Sequence, residues 1–325
     1  MISRVAESCF WLSRYIERIE SLARLLYVNQ TSALEGPSAE DRWKSLVIVT
    51  GEEERFEERP APSEEKFSEA VEEFLTWDKD NPSSIYSNLY WARENARTVR
   101  EIISREMWET LNEAWVWIQG REARKLYQGN RYRFYLQMRH ICTQFHGYGL
   151  STMLHDQAFD FLRLGGMLER AGQTARTLDV KYHILGRTRI NSESPEEAAQ
   201  WLAILYSCSG VEPFFKHSDS VLSGPAVAEF LIYNRKFPRS IRHCLDRSRN
   251  FLKLVGAGAP SRNESTAEKK LSEMLDDLNS RDMSGILKQG LHNVLTGIID
   301  QTAEICTAVN HDYFDPMVSV SRKAG

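Results

Sequence analysis

Apolar residues recur every three or four positions at Val5, Cys9, Leu12, Ile16, Ile19, Ala23, Leu26 and Val28, which predicts one long helix over the first 34 residues. Ser3 is its expected N-cap and Gly36-Pro37 its stop. Period-two alternation, the mark of a strand, is nearly absent, and the apolar run 46–49 is too short to support a sheet alone. A chain patterned this way buries its apolar stripes by packing helix on helix. The expected fold is all-α, a multi-helix bundle of roughly ten to twelve helices.

The remaining helices are expected at about 43–49, 63–77, 84–104, 106–119, 131–153 and 155–185. Ser194-Pro195-Glu196-Glu197 starts one that runs to Ser207, with a capping serine, proline at the first helical position and Glu three residues after the cap. Gly224-Pro225 opens another to Tyr233, Pro238 one to Val255, Ser265-x-x-Glu268 the next, and the last covers 284–310. The stretch 120–130, rich in charge, reads as a connection, and 36–63 as a loop-rich insertion in a single domain over 1–325. Gly165-Gly166 either bends its helix or lets another helix pack closely.

With 325 residues, 42% apolar and 10% aromatic, there is material for a sizeable core. A net charge of −4 lacks the basic excess of a nucleic-acid binder. No stretch approaches the roughly 20 apolar residues that span a bilayer, and Arg4 and Glu7 interrupt the segment where a signal peptide needs an apolar run. The expected location is the cytoplasm, without membrane or nucleic-acid partners. Cys9, Cys142, Cys208, Cys244 and Cys306 form no Cys-x-x-Cys pair and read as small buried hydrophobes in a reducing compartment.

Self-comparison brings out a repeat. Glu17-Arg18 followed by Ala23-Arg24 matches Glu169-Arg170 followed by Ala175-Arg176 at identical spacing, with Trp11-Leu12 and Phe161-Leu162 upstream. Ala96-Arg97-Thr98 and Asp246-Arg247 with Lys253 are looser echoes, so a fourfold helical duplication is one reading. Positions i and i+7 lie about 20° apart around a helix and about 10 Å along it. Glu17 and Arg24 therefore share a face flanked by Arg14 and Ser21, as Glu169, Gln173 and Arg176 share another. In a third segment Arg93, Arg97, Arg100 and Glu101 form a charged stripe, with Arg97 able to pair with Glu94 or Glu101.

On a solvated surface such pairs contribute about a few tenths of a kcal/mol each. The helix carrying Glu17, Arg18 and Arg24 is, however, apolar or aromatic nearly all round, through Phe10, Trp11, Leu12, Tyr15, Ile16, Ile19 and Leu22. It should be central, and buried charges must be paired or face a ligand.

The opening Ser3-Arg4-Val5-Ala6-Glu7 through Trp11-Leu12-Ser13-Arg14-Tyr15-Ile16-Glu17-Arg18 resembles that of the bacterial alpha-E family, named for its helices and its Glu-Arg motif. The likeness continues through Ala92-Arg93-Glu94-Asn95-Ala96-Arg97 with Met107-Trp108, Thr152-Met153, Leu168-Glu169-Arg170-Ala171 with Leu178-Asp179-Val180-Lys181-Tyr182, and Phe237-Pro238-Arg239-Ser240 after Glu229-Phe230-Leu231. The resemblance covers nearly the whole chain and implies an all-helical cytoplasmic protein with no established activity. Its gene neighbourhoods imply partners among ATP-grasp ligases and transglutaminase-like peptidases, and so a place in peptide or amide-bond metabolism. Two positions depart from the family, whose members usually carry Arg where this chain has His155 and Gly166. If those arginines hold a ligand, this chain either binds differently or has lost the site.

Other motifs have plain alternatives. Cys142 and His146 are spaced for a metal but lack a nearby third ligand, so no metal is assigned. His155-Asp156 reads as a general-base pair or as the first turn of a helix, and the segment 207–210 as a helix end without nucleophile context. The segment 256–260 lacks the Lys-Ser/Thr of a phosphate loop, and no cofactor motif is present. Arg239, after Pro238, marks either an anion site at a helix start or a structurally paired cation. Tyr132, Phe134 and Tyr135 between arginines read as amphipathic packing.

Three functions fit these residues. In the first, a binding or accessory module grips a peptide-like or amino-acid ligand, or a partner enzyme. Its candidate site residues are Arg14, Glu17, Arg18, Arg24, Arg93, Glu94, Asn95, Arg97, His155, Glu169, Arg170, Arg176 and Arg239. In the second, an enzyme uses Glu17 or Glu169 as general base. The third is a structural salt-bridge core with function on a partner surface. A ligand site needs the charges to line an open cavity; a structural core needs them to satisfy one another.

Overall fold

Serine hydroxyls start many of the helices: those of Ser84, Ser104, Ser223, Ser240 and Ser265 each accept a backbone N–H from three residues on. At Ser265 the capping box closes as the spacing predicts, with Glu268 reaching back to the Ser265 N–H. The computed structural model describes residues 3–31, 39–185, 195–217, 221–257 and 264–315.

Its helices, in chain order, are α1 (Ser3–Thr31), α2 (Ala39–Thr50), α3 (Glu53–Glu57), α4 (Phe67–Thr76), α5 (Ile85–Thr98), α6 (Arg105–Gln119), α7 (Arg121–Gly129) and α8 (Arg131–Thr152). There follow α9 (Gln157–Leu185), α10 (Pro195–Ser207), α11 (Val211–His217), α12 (Gly224–Tyr233), α13 (Ile241–Gly256), α14 (Thr266–Ser280), α15 (Met283–Gln289) and α16 (Leu291–Val309). No strand occurs among the described residues.

The all-α class holds, but ten to twelve helices is too few: sixteen α-helices are present among the described residues. The stretch 120–130 is not a connection but holds α7, which buries only Ala123 and Tyr127, too short a stripe to show as periodicity. Phe214 alone is buried in α11. The final helix is split by Gly290, whose φ of +94° no helical residue adopts and which caps both α15 and α16. α5 stops at Thr98, and Ser104 caps α6 rather than closing α5. Pro238 stands in a turn before Ser240, and α13 begins at Ile241. The stop at Gly36-Pro37, the cap at Ser194 and the connection 258–260 lie outside the described residues.

Helices α1 and α9 form the axis of the bundle. α1 packs on α9, α5, α8 and α10, and α9 also carries α13, α16 and α2. Gly165 lies under Phe10, Glu169 beside Arg14 and Arg18, and Arg170 beside Glu17, so sequence numbers rise together and the two helices run parallel. α8 runs antiparallel to α1, with Arg139 over the Tyr27 ring and His146 beside Glu17. The glycine pair serves close packing: a Cβ at Gly165 would collide with the Phe10 carbonyl oxygen, and one at Gly166 would stand 2.5 Å from Ser13 Oγ.

The axial core is built from Phe10, Leu12, Ile16 and Leu26 of α1 against Leu164, Leu168, Ala171 and Ala175 of α9. Phe134 and Tyr135 are buried and Tyr132 is exposed, the amphipathic packing expected of α8. All five cysteines are buried free thiols, and burial pushes those of Cys9 and Cys244 up to about 12. No described helix is long and apolar enough to cross a membrane.

Candidate functional site

The parallel packing of α1 and α9 places their Glu-Arg pairs side by side, and the pairs exchange partners. Arg170 grips Glu17 with Nε, 3.0 Å from Oε2, and with Nη2 on Oε1. Arg18 Nε donates to Glu169 Oε1 at 2.9 Å, and Arg14 Nε to its Oε2 at 2.8 Å. Each acid is thus bound by the base of the other helix.

Around Glu17 the nest is closed. The Glu17 side chain has no exposed surface; His146 Nε2 lies 3.1 Å from its Oε1 and Arg239 Nη1 3.8 Å from its Oε2. One turn on, Glu20 accepts from Arg24 Nε at 3.1 Å and from Arg239. Arg24 also donates to Ser209 Oγ, whose residue takes a left-handed φ of +50° at the end of α10. Burial alone would raise both glutamates, but Arg170 above all holds Glu17 well below the carboxylate range, and Arg239 brings Glu20 down to about 2. Burial and the nearby Arg239 lower Arg24.

Ligand atoms of Glu17, Glu20 and His146 lie within 4.8 Å of one another, a metal-capable trio. Arg170, Arg239 and Arg24 already bring three positive charges to these two carboxylates. A dication there would have no negative charge left to neutralise.

The Glu169 side is open. A cleft of about 160 Å³ lies between α1, α2 and α9, lined by Arg18, Gln173 and Arg176 over Leu22 and Leu25, with Thr50 and Ser83. The Arg18 side chain keeps 29% exposure against 11% for Arg14, so it is Arg18 that faces this space. Gln173 Nε2 donates to Glu169 Oε1 at 3.0 Å, and Arg176 Nη1 to the Val49 carbonyl at 3.2 Å. Arg176 makes no ion pair among the described residues, and burial lowers it. Against the cost of burial, Arg18 and Arg14 hold Glu169 far below its ordinary range.

Of the candidate residues, Arg14, Glu17, Arg18, Arg24, Glu169, Arg170, Arg176 and Arg239 converge on these two places. Arg239 is the structurally paired cation of the two readings. Arg93, Glu94, Asn95 and Arg97 do not converge. They lie on the outer side of α5, where Arg93 and Arg97 pair with Glu94, Asn95 donates to the Trp91 carbonyl, and Arg97 is 63% exposed. His155 stacks on Phe159 at 3.8 Å while Asp156 caps the first turn of α9, so the pair is a helix start. Glu20 and Thr50 are absent from the sequence candidates, while Gln173 and Ser209 enter the sequence reading only as a neighbour on the Glu169 face and as part of a helix end. Glu20 carried a signal in its i,i+4 spacing to Arg24; Thr50 carried none, because α2 reaches the cleft only through tertiary packing.

Residues 1–314 match the model of the Alpha-E family, described as a predicted alpha-helical domain with a conserved ER motif. Uncharacterised proteins of Mycobacterium bovis and of two strains of Mycobacterium tuberculosis are 24% identical over 295 residues, which is 86% of this chain and 32% of theirs. The chain therefore spans about a third of the length of the curated relatives it matches. No solved structure matches it.

Proposed function

The chain belongs to the Alpha-E family, and from that premise we propose that it is a helical binding and accessory protein whose ligand, an amino acid or peptide-like molecule, enters the cleft between α1, α2 and α9. The observation that carries this reading is the contrast between the two Glu-Arg assemblies. One is closed and internally satisfied; the other leaves Arg18 and Arg176 on a cleft, with Arg176 free of any ion pair among the described residues. Two guanidiniums about one cavity suit a carboxylate. The hydroxyls of Thr50 and Ser83 donate to the Val47 carbonyl and to Glu52, which leaves their oxygen lone pairs to accept from an amide or ammonium group. Leu22 and Leu25 supply apolar contact.

The accessory part of the reading is supported by the relatives, in which the matched region is a third of a longer chain. The family's gene neighbourhoods favour an ATP-grasp ligase or a transglutaminase-like protein as the partner, in amide-bond metabolism. The enzyme reading is supported less well, since a general base near neutral pH needs a raised carboxylate and both Glu17 and Glu169 are held low. The structural reading suits the Glu17 nest and leaves the cleft unexplained.

Differential scanning fluorimetry against amino acids, short peptides and nucleotides tests the proposal. Binding to the folded state at a hundred times Kd adds about 2.7 kcal/mol. A rise in Tm with carboxylate-bearing ligands that disappears in Arg176→Ala and Arg18→Ala is expected. A wild-type protein indifferent to every ligand class would leave the cleft without this role.

A further inference from the structure

Helices α6 and α8 run antiparallel: the Met107 side chain lies against Gly149 at one end, and Trp117 stacks on Phe134, ring centroids 5.6 Å apart, at the other. Between them a groove of about 390 Å³ opens to solvent over an apolar floor of Trp117, Ile141 and Tyr148. It shares no residue with the cleft between α1, α2 and α9.

Charge is divided along this surface. Glu106, Glu109 and Glu113 stand on its α6 wall, spaced for one helix face. Only Glu109 has an ion-pair partner among the described residues, the exposed Arg105 at 2.6 Å. Helix-terminus electrostatics accounts for Glu106 in the first turn of α6 but not for Glu113 two turns on. At the other end the sign reverses. Arg121 follows Trp117 by one turn, and Arg133, next to Phe134, lies on the α8 face that Gln137 and Gln144 turn to the groove. Lys125 follows Arg121 on α7. All three cations are exposed and make no ion pair among the described residues, with Glu122 as the acid beside them. Between the two ends lie Trp117 and Val116, the latter 63% exposed. Glu113 precedes Trp117 by as many residues as Arg121 follows it, so the order is acid, apolar, base.

A surface with this order is its own complement. A two-fold axis through Val116 and Trp117 sets acid against base twice and apolar against apolar at the centre. A basic peptide would answer only the Glu113 end, and an acidic one only the Arg121 end. We propose that the α6–α8 groove and the start of α7 form the interface of a symmetric dimer, in which α6 of one copy lies antiparallel to α6 of the second. Glu109 and Glu113 of each copy then meet Arg121 and Arg133 of the other, and Val116 is covered. The interface lies apart from the carboxylate cleft, so either proposal stands if the other fails.

The test is size-exclusion chromatography with light scattering on the full chain, over a concentration series. It is run at about 0.1 M salt, where charges act over about 10 Å, and at about 1 M, where they act over about 3 Å. A dimer that weakens at high salt is expected. Glu109→Lys with Glu113→Lys makes both ends positive, and Arg121→Glu with Arg133→Glu makes both negative. The new glutamates fall in the first turns of α7 and α8, where an acid suits the helix. Each double variant alone should dimerise at least about tenfold more weakly, and an equimolar mixture of the two should pair again. Restored pairing in the mixture is an outcome that damaged folding could not produce. A wild type that stays monomeric at every concentration, a dimer that both reversals leave intact, or variants that stay apart when mixed overturns the proposal. A monomer that binds oligolysine, and loses it in the Glu109→Lys, Glu113→Lys variant, gives the groove to a basic partner and overturns it equally.

Discussion

Glu17 and Arg170, 153 residues apart in sequence, form a doubly hydrogen-bonded ion pair, and their sequence neighbours repeat the bond with roles exchanged as Arg18 donates to Glu169. The duplicated dipeptide is thus an interhelical cross-lock. Two parallel helices in register present acid beside base and base beside acid, a complementarity that any slip along the axis would destroy. A Glu-Arg pair repeated on both axial helices fixes the register between them, which apolar stripes alone leave loose.

Removing one partner of this lock strands the other in a buried site. Arg170→Ala should lower stability by about 3–5 kcal/mol, because Glu17 then keeps only the longer contacts to Arg239 and His146. The double variant Glu17→Met with Arg170→Met should cost less than the sum of the singles, since no charge is left uncompensated. Urea unfolding of the single and double variants measures both. Single losses below about 1 kcal/mol would put these pairs among ordinary solvated bridges.

Acid should unfold the protein through the same groups. Glu17, Glu20 and Glu169 titrate below the ordinary value of 4.5, with Glu20 at about 2, so the unfolded chain binds more protons than the folded one as pH falls. Their stabilisation is complete above about pH 5 and is lost progressively toward pH 2. Glu72 and Asp160, both raised first by burial, work in the opposite sense but are two groups against three. Denaturant midpoints at a series of pH values should fall steadily across this window, and Glu20→Gln should flatten the fall. A midpoint that stays level from pH 5 to pH 3 would contradict the assignment.

How much of this was legible in the sequence follows from the range of each interaction. Helix starts are local, so Ser265-x-x-Glu268 named its capping box outright. The face shared by Glu17 and Arg24 was also readable, and the aromatic surroundings of α1 announced that its charges would be buried. The partners were not readable. Periodicity places Arg18 about 100° from Glu17 on α1, yet nothing local says that α9 lies parallel and offers Glu169 to one and Arg170 to the other. The third echo, at Arg97, shares the spacing but not the burial, because the inner face of α5 is Leu89, Ala92 and Ala96. Short helices such as α7 and α11 escaped because one or two buried residues make no period.

The close approach of α1 and α9 predicts an order among glycine variants. A Cβ at Gly165 meets the backbone carbonyl of Phe10, which can yield only if the helices separate; one at Gly166 meets Ser13 Oγ, which can rotate or be removed. Gly165→Ala should therefore destabilise by about 3 kcal/mol, the upper end of overpacking costs, and Gly166→Ala by less. Thermal unfolding should show Ser13→Ala rescuing Gly166→Ala and leaving Gly165→Ala unchanged. Equal losses at the two glycines would mean that the helices are not held by this contact.

Arg24 and Arg176 occupy matching positions of the repeat and should respond to truncation in opposite ways. Arg24 is buried, donates to Glu20 through two nitrogens and ties in Ser209, so Arg24→Ala removes charge-assisted bonds inside a closed nest and should cost about 1.5–3 kcal/mol. Arg176 has one bond to a carbonyl and otherwise borders the cleft, so Arg176→Ala should leave stability within about 0.5 kcal/mol, as for a residue whose worth lies in binding. Denaturant unfolding of the two variants, without any ligand, separates a structural arginine from a ligand-binding one. Comparable losses in both would show that the second half of the repeat is as structural as the first and would leave the cleft without a ligand-binding arginine at this position.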